Sequence, residues 1–287
     1  MRADPPVAAP HAFTLIELLV SISIIAALIG ILVPTLGAAR ESARAVACLS
    51  NQKQLITGWT LYAHDHADRV MPLAYTESSD IGSGDGLFWW GSDGSTTGSI
   101  DHSAGFLAPY LDGALGARSV FECPTQPMGT YVPQANPLIP EERRFTSTYG
   151  YNGYYLSPGK TPGWCATIED QPWKRLSDLD RTTDLLVFGD TLLPTSPHRP
   201  GRSTALLDPP MLYQGDGQWA VNDHPTTSFR HGARGPGLAG VANTAAADGS
   251  ARAHAAQPGW ITHRSHRVGS IGATNDPAYV PDWKRWR

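Results

Sequence analysis

The chain has 287 residues, with 22 Lys or Arg against 26 Asp or Glu and a net charge of −4, enough length for one sizeable core or two small ones. No basic block is present, which argues against nucleic acid as a partner. The 29 glycines and 24 prolines are scattered rather than periodic, a composition for a loop-rich globular head and not for collagen or a low-complexity tail.

From Leu18 to Val33 there is neither a charge nor a proline, and the apolar run from Phe13 to Leu36 covers 24 residues. About 20 suffice for a helix to cross a bilayer. The run is apolar on every face, unlike the one-sided pattern of a soluble helix. It exceeds the roughly 7–15-residue core of a cleaved secretory signal, and Pro34-Thr35-Leu36-Gly37 is a poor small-x-small site. A retained membrane helix over 13–36 is therefore expected. Pro34 removes a backbone donor and weakens the helix locally. Glu17 is the anomaly, because a carboxylate in an apolar span is costly unless it is paired or at the interface. A cut between Ala12 and Phe13 would create an α-amine that, on one chain, can neutralise Glu17 of the next in a low-dielectric bundle.

Pro34 does not end the helix. Val46, Leu49, Ile56 and Ala63, with Cys48, Leu55, Trp59 and Tyr62 alongside, keep a 3-and-4 spacing, so an extension over 37–66 buries one face. Arg40, Glu41, Arg44, Asn51 and Lys53 make the solvated face. One helix from Phe13 to about His66 would measure roughly 80 Å. At its end His64 and His66 flank Asp65, but they lie two apart and point to different faces, so solvation is expected there rather than a metal.

The remainder, 67–287, reads as a head. Strands are expected at Leu87–Trp90, Ser119–Cys123, Thr146–Tyr155, Asp184–Phe188 and Val241–Ala247. Asp248-Gly249 makes a tight turn into Ser250–His254. The fold class is α+β: a long N-terminal helix packed on an antiparallel sheet. Asp85, Asp93 and Asp101 offer oxygen ligands, yet no D-x-D-x-D-G spacing exists, so calcium rests on composition alone and no cofactor is expected. Trp89 and Trp90 are read as core or interface before a sugar-stacking platform. Cys48, Cys123 and Cys165 form no C-x-x-C pair; Cys123 with Cys165 is the candidate disulfide, against three small buried residues.

Phe13-Thr14-Leu15-Ile16-Glu17-Leu18-Leu19-Val20 resembles the signature of type IV prepilins and type II secretion pseudopilins. The resemblance implies a leader over 1–12, cleavage between Ala12 and Phe13 by a prepilin peptidase, N-methylation of Phe13, and assembly with other pilin-like subunits through Glu17 and a helix loosened at Pro34. Ala12 stands where the family usually has Gly. It also implies a single-pass protein of the inner membrane with its head outside the cytoplasm, although Arg40 and Arg44 taken alone would place that side inside. "ACLSNQKQL", "FECPTQP", "TYGYNGY", "LLVFGDT", "FRHGARG" and "AADGSARAH" resemble, in order, the large-headed subgroup with a C-terminal His followed after nine residues by Asp-Gly. Here sixteen residues separate His231 from Asp248. His231, Arg230 and Asp248 are a low-ranked polar site, and no nucleophile elbow, H-E-x-x-H or phosphate loop is present. The expectation is a structural subunit and not an enzyme. Two rivals are a membrane-anchored head binding glycans through its tryptophans (Trp89, Trp90, Trp164, Trp173, Trp219, Trp260) and a tethered hydrolase using His231 and Asp248.

Overall fold

The computed structural model describes residues 14–75, 86–93, 100–111, 119–126, 130, 134–135, 143–144, 147–157, 173–232 and 240–285. They fall into two compact units, one ending at Ser42 and one running from Ala43 to Arg287.

Helix α1 runs from Leu15 to Asp65 with Pro34 inside it. Thr14 and Glu17 start it with a reciprocal capping box. The Thr14 N–H donates to Glu17 Oε2 at 2.9 Å, and the Glu17 N–H donates to Thr14 Oγ1 at 3.2 Å. Two otherwise orphaned donors are thereby satisfied. At the other end Ala67 and Asp68 adopt φ of 53° and 69°, and the Asp68 N–H reaches back to Ala63 O at 2.9 Å. That left-handed closure is the job glycine usually does.

In the second unit α1 buries Cys48, Gln52, Leu55, Ile56, Trp59, Tyr62 and Ala63. The expected 3-and-4 period is present, but its centre is shifted: Val46 is 66% exposed. Asn51, expected on the solvated face, is half-buried and donates to Glu122 O and Tyr149 Oη.

The strands are short. β1 (Ala74–Tyr75), β2 (Gly86–Phe88), β3 (Gly91–Asp93) and β4 (Ile100–Asp101) form an antiparallel meander, and β5 (Gln134–Ala135) pairs with β6 (Arg143–Arg144). β7 (Tyr149–Tyr151) and β8 (Leu186–Asp190) belong to the main sheet. β9 (Met211–Gly215) and β10 (Gln218–Val221) make a hairpin. β11 (Thr227–Ser228) leads to β12 (Val241–Ala246) and β13 (Ala251–Ala255), while β14 (Ile261–His263) and β15 (Val268–Gly269) form a small sheet with β11. The main sheet has the order β13-β12-β8-β7, antiparallel throughout.

β8 is buried at all five positions, because material covers both faces of the sheet. On one side Trp59 of α1 donates to Tyr151 Oη at 3.2 Å, and Gln52 donates to Asn243 O at 3.1 Å. Phe188 meets Trp89 and Tyr151 at ring-centroid distances of 5.2 and 5.3 Å. The C-terminal stretch, which carries no sequence signal, also packs on the head. Tyr279 is buried, its hydroxyl lies 2.8 Å from Thr227 Oγ1, and the Leu186 N–H donates to Ala278 O.

Several strand expectations change: Leu87–Trp90 yields a strand only over Gly86–Phe88, with Trp89 and Trp90 in the turn that follows, and the strand expected at Asp184–Phe188 runs from Leu186 to Asp190. Residues 119–123 form a turn, in which the Glu122 N–H donates to Ser119 O and the Cys123 N–H to Thr148 Oγ1; Pro124 has no N–H to continue a ladder. The strand expected over Thr146–Tyr155 lasts only from Tyr149 to Tyr151 before a single helical turn at Gly153–Leu156. The Asp248-Gly249 turn forms as expected, with Gly249 at φ 82° and Asp248 Oδ1 accepting from the Ser250 N–H at 2.8 Å.

Candidate functional site

The first half of α1 is apolar on all sides and exposed, with Leu15 at 74% and Ile31 at 68%. It is the one helix among the described residues long and apolar enough to cross a membrane. Its polar side chains are satisfied within the helix. Ser21 Oγ donates to Glu17 O, Ser23 Oγ to Leu19 O and Thr35 Oγ1 to Leu32 O, at 2.7, 2.8 and 2.9 Å. Such back-bonding suits a surrounding without water. Pro34 lacks an N–H and leaves the carbonyl four residues earlier without its helical donor. Glu17 stands exposed, its carboxylate held by Thr14, whose hydroxyl donates at 2.8 Å. The pairing Thr14-x-x-Glu17 is itself a capping-box signature, and reading the segment only for hydrophobicity passes over it. Ala12, Phe13 and the leader lie outside the described residues, so the expected cleavage and methylation positions carry no geometry.

In the head, the structure separates His231 from Asp248 and gives His231 a different partner. His231 pairs with Val241 at the start of β12, whereas Asp248 follows the far end of that strand, roughly 16 Å along at about 3.3 Å per residue. Asp248 serves its own turn and an exposed contact to Arg252 at 3.4 Å. The partner of His231 is Asp190, at the C-terminal end of β8, with Nε2 to Oδ2 at 3.1 Å. The low-ranked pair therefore does not form a site, and a hydrolase built on it has no geometric basis.

A buried polar cluster takes its place. Cys48 from α1 donates to Asp190 Oδ1 at 3.2 Å. Cys123 Sγ lies 3.5 Å from His231 Nε2, and Thr125 Oγ1 lies 3.0 Å from His231 Nδ1. The Asn243 N–H donates to Asp190 Oδ2 at 2.8 Å. Arg230 Nη2 donates to the carbonyls of Thr148 and Thr191 at 3.0 and 2.8 Å and stands 3.8 Å from Asp190; its Nη1 donates to Gln126. The residue types explain the placement. β8 alternates, so Asp190 shares the α1-facing side with Phe188, whereas a register shift sets Leu186 opposite Ala246, beside Trp260 on the other face. Gly240 lets the segment around His231 lie against β12, since a Cβ there would come within 2.0 Å of Phe229 O.

Burial alone would drive the Asp190 carboxyl up, but the Arg230 charge, His231 and the Asn243 N–H reverse this and hold it below the usual range. His231 is pushed up to about 9, its burial outweighed by hydrogen bonds to Asp190 and Cys123. The two thiols split. Burial raises Cys48 well above the ordinary thiol value. Cys123, though equally buried, is lowered to about 5 by Cys48, Arg230 and His231. Both cysteines are outside any disulfide; Cys165, the expected partner of Cys123, lies outside the described residues.

Other candidates are weaker. Trp89 and Trp90 are buried, and Trp89 Nε1 donates to Ala205 O, as a core role requires. Trp164 lies outside the described residues. Trp260 lines a cleft of about 210 Å³ with His254, Arg252 and Asp276, below the roughly 300–1,000 Å³ of ordinary ligand sites. Of the calcium candidates, Asp85 is outside the described residues, and Asp101 accepts from the Ser103 N–H and hydroxyl. The helix-end residues hold no ligand geometry either. His66 stacks on Tyr62, and Asp68 accepts from the Ser177 N–H at 3.1 Å.

Residues 9–33 match the family model described as the prokaryotic N-terminal methylation motif. No curated protein and no solved structure matches the chain. The matched segment supports a pilin-like substrate of prepilin peptidase, anchored by a single apolar helix. The motif is one of structural, pilin-like subunits rather than of enzymes.

Proposed function

We propose that the chain is a structural subunit of a type IV pilus-like or type II secretion assembly. Prepilin peptidase removes residues 1–12 by cutting between Ala12 and Phe13, and Phe13 is N-methylated. The first half of α1 anchors the precursor in the inner membrane with the head outside the cytoplasm, and it then packs against its counterparts in other subunits. The observation that carries this reading is the pairing of an all-round apolar, exposed half-helix with a single carboxylate, Glu17, at its start. Thr14 holds that carboxylate within one chain. In an assembly the methylated amine of a neighbour replaces this local partner with a full charge, and the attraction is large in a water-poor bundle. Pro34 allows the helix to yield as subunits pack.

The decisive experiment is the intact mass and N-terminal peptide of the protein from its native membrane. A chain starting at N-methylated Phe13 is the expected result. A chain retaining Met1 would overturn the processed-subunit reading and leave an anchored head.

A further inference from the structure

We propose that Cys48, Cys123, Asp190 and His231 form a closed structural site for zinc. All four are buried, and their ligand atoms lie within 4.8 Å of one another. They come from α1, the 119–126 turn, the end of β8 and the residue paired with the start of β12, all within the unit that begins at Ala43. The inference is independent of how the N-terminus is processed.

Geometry is the first argument. With Zn–S near 2.3 Å and Zn–N or Zn–O near 2.0–2.1 Å, the edges of a tetrahedral site measure roughly 3.3–3.8 Å. In this cluster Cys123 Sγ lies 3.5 Å from His231 Nε2, and Asp190 presents Oδ2 to His231 at 3.1 Å and Oδ1 to Cys48 at 3.2 Å. The ligand atoms all lie within 4.8 Å of one another, so closing a tetrahedron on one Asp190 oxygen takes shifts of about an ångström or less.

The second argument separates a metal site from a catalytic Cys–His–Asp triad. In a triad the carboxylate holds one ring nitrogen and the thiol the other. Here both Cys123 and Asp190 converge on Nε2, while Nδ1 goes to Thr125. Convergence on one nitrogen with the other held by a neighbouring hydroxyl is the arrangement of a metal-bound imidazole and its supporting partner. His231 is 1% exposed and Asp190 fully buried, so the cluster is shielded from solvent.

Donor chemistry and charge complete the case. Two sulfurs, one imidazole nitrogen and one carboxylate oxygen select zinc over the all-oxygen cations calcium and magnesium. Two thiolates and a carboxylate bring three negative charges. Zn²⁺ and the Arg230 guanidinium, fixed by the Thr148 and Thr191 carbonyls, bring three positive ones. The buried site closes at zero, and the protons displaced from the ligands leave to solvent. With four protein ligands no position stays open, so the metal's work is to tie α1 to the sheet.

The test uses the full-length chain purified in detergent without chelator. Elemental analysis should find zinc in a one-to-one ratio with the chain. Exchange with Co²⁺ should give a thiolate-to-cobalt charge-transfer band in the near ultraviolet and the intense visible bands of tetrahedral cobalt. Cys48→Ser should abolish the tetrahedral dithiolate spectrum. Thr125→Val, which keeps all four ligands, should weaken cobalt binding by about 10–100-fold with the spectrum retained. If Cys48→Ser fails to fold, the wild-type spectrum still decides. A native protein whose mass and peptide map show Cys48 joined to Cys123 overturns the proposal. So does reduced protein that gives no charge-transfer band with Co²⁺.

Discussion

The two halves of α1 are built from similar apolar residues and use them in opposite ways. Between Leu15 and Leu36 the large side chains stand at 50–74% exposure, whereas Cys48, Leu55, Ile56 and Trp59 are at 0%. The first half has no polar stripe. The second carries polar residues between its apolar ones and lays one stripe on the main sheet. The difference separates two jobs for hydrophobicity: burial against lipid or other chains, and burial within the fold. Removing a group from the first half should damage assembly and leave the head's stability alone. Removing one from the second should do the reverse.

Glu17→Ala gives the largest expected effect on the first side. Incorporation into a filament or cross-linked oligomer should fall to background. The head's unfolding midpoint should stay where it was, because among the described residues Glu17 is hydrogen-bonded to Thr14 and Ser21 of its own helix start. Cross-linking of membranes with the head's thermal unfolding measured in parallel checks both halves of the claim. A variant that assembles normally would break the functional contrast.

Trp59→Ala is the opposite experiment. Trp59 is fully buried and hydrogen-bonded to Tyr151, so its loss should cost the head about 3–5 kcal/mol in denaturant titration. Membrane fractionation of the chain should not change.

The same contrast explains what the sequence disclosed. The N-terminal segment is local: Thr14, Glu17, Pro34 and an unbroken apolar run sit within a few turns, so motif and composition find them together. The long strands of the main sheet were also legible: the apolar run closed by Gly189-Asp190 places a strand at Asp184–Phe188, which forms two residues later at Leu186–Asp190, and Asp248-Gly249 marks a turn. The buried cluster was not. Cys48 and Asp190 are 142 positions apart, and Cys123 and His231 are 108 apart, so no spacing rule joins them. All four residues lie in stretches that resemble the large-headed subgroup, "ACLSNQKQL", "FECPTQP", "LLVFGDT" and "FRHGARG". Nothing in any of them says that β8 ends where α1 presents a thiol. The pairing of His231 with Asp248 rests on the resemblance to a His…Asp-Gly ending and is ranked low. β12 then carries the chain away from His231 before Asp248 is reached.

Asp208 tests the head without touching either function. Burial pushes its carboxyl from 3.8 to about 7, and its Oδ1 has no hydrogen-bond partner among the described residues. A carboxyl raised in the folded state holds its proton longer there than in the unfolded chain. It costs nothing below the unfolded value, destabilises increasingly from about pH 4 to pH 7, and levels off above that. Asp208→Asn should leave stability unchanged at pH 4. At pH 8 it should raise stability by a few kcal/mol, flattening the pH profile of chemical unfolding. An identical slope in both proteins would show that the carboxyl is hydrated.

Val46 is the finest probe of the comparison, because it lies in the second half of α1 and yet is 66% exposed, two residues before the buried Cys48. If exposure decides which job a residue does, Val46→Ser should change the head's stability by no more than about 0.5 kcal/mol. Any effect should appear in assembly, as a modest loss of cross-linked oligomer relative to Glu17→Ala. A stability loss approaching that of Trp59→Ala would mean that Val46 is covered within its own chain. The division would then follow position along the helix rather than the face a residue presents.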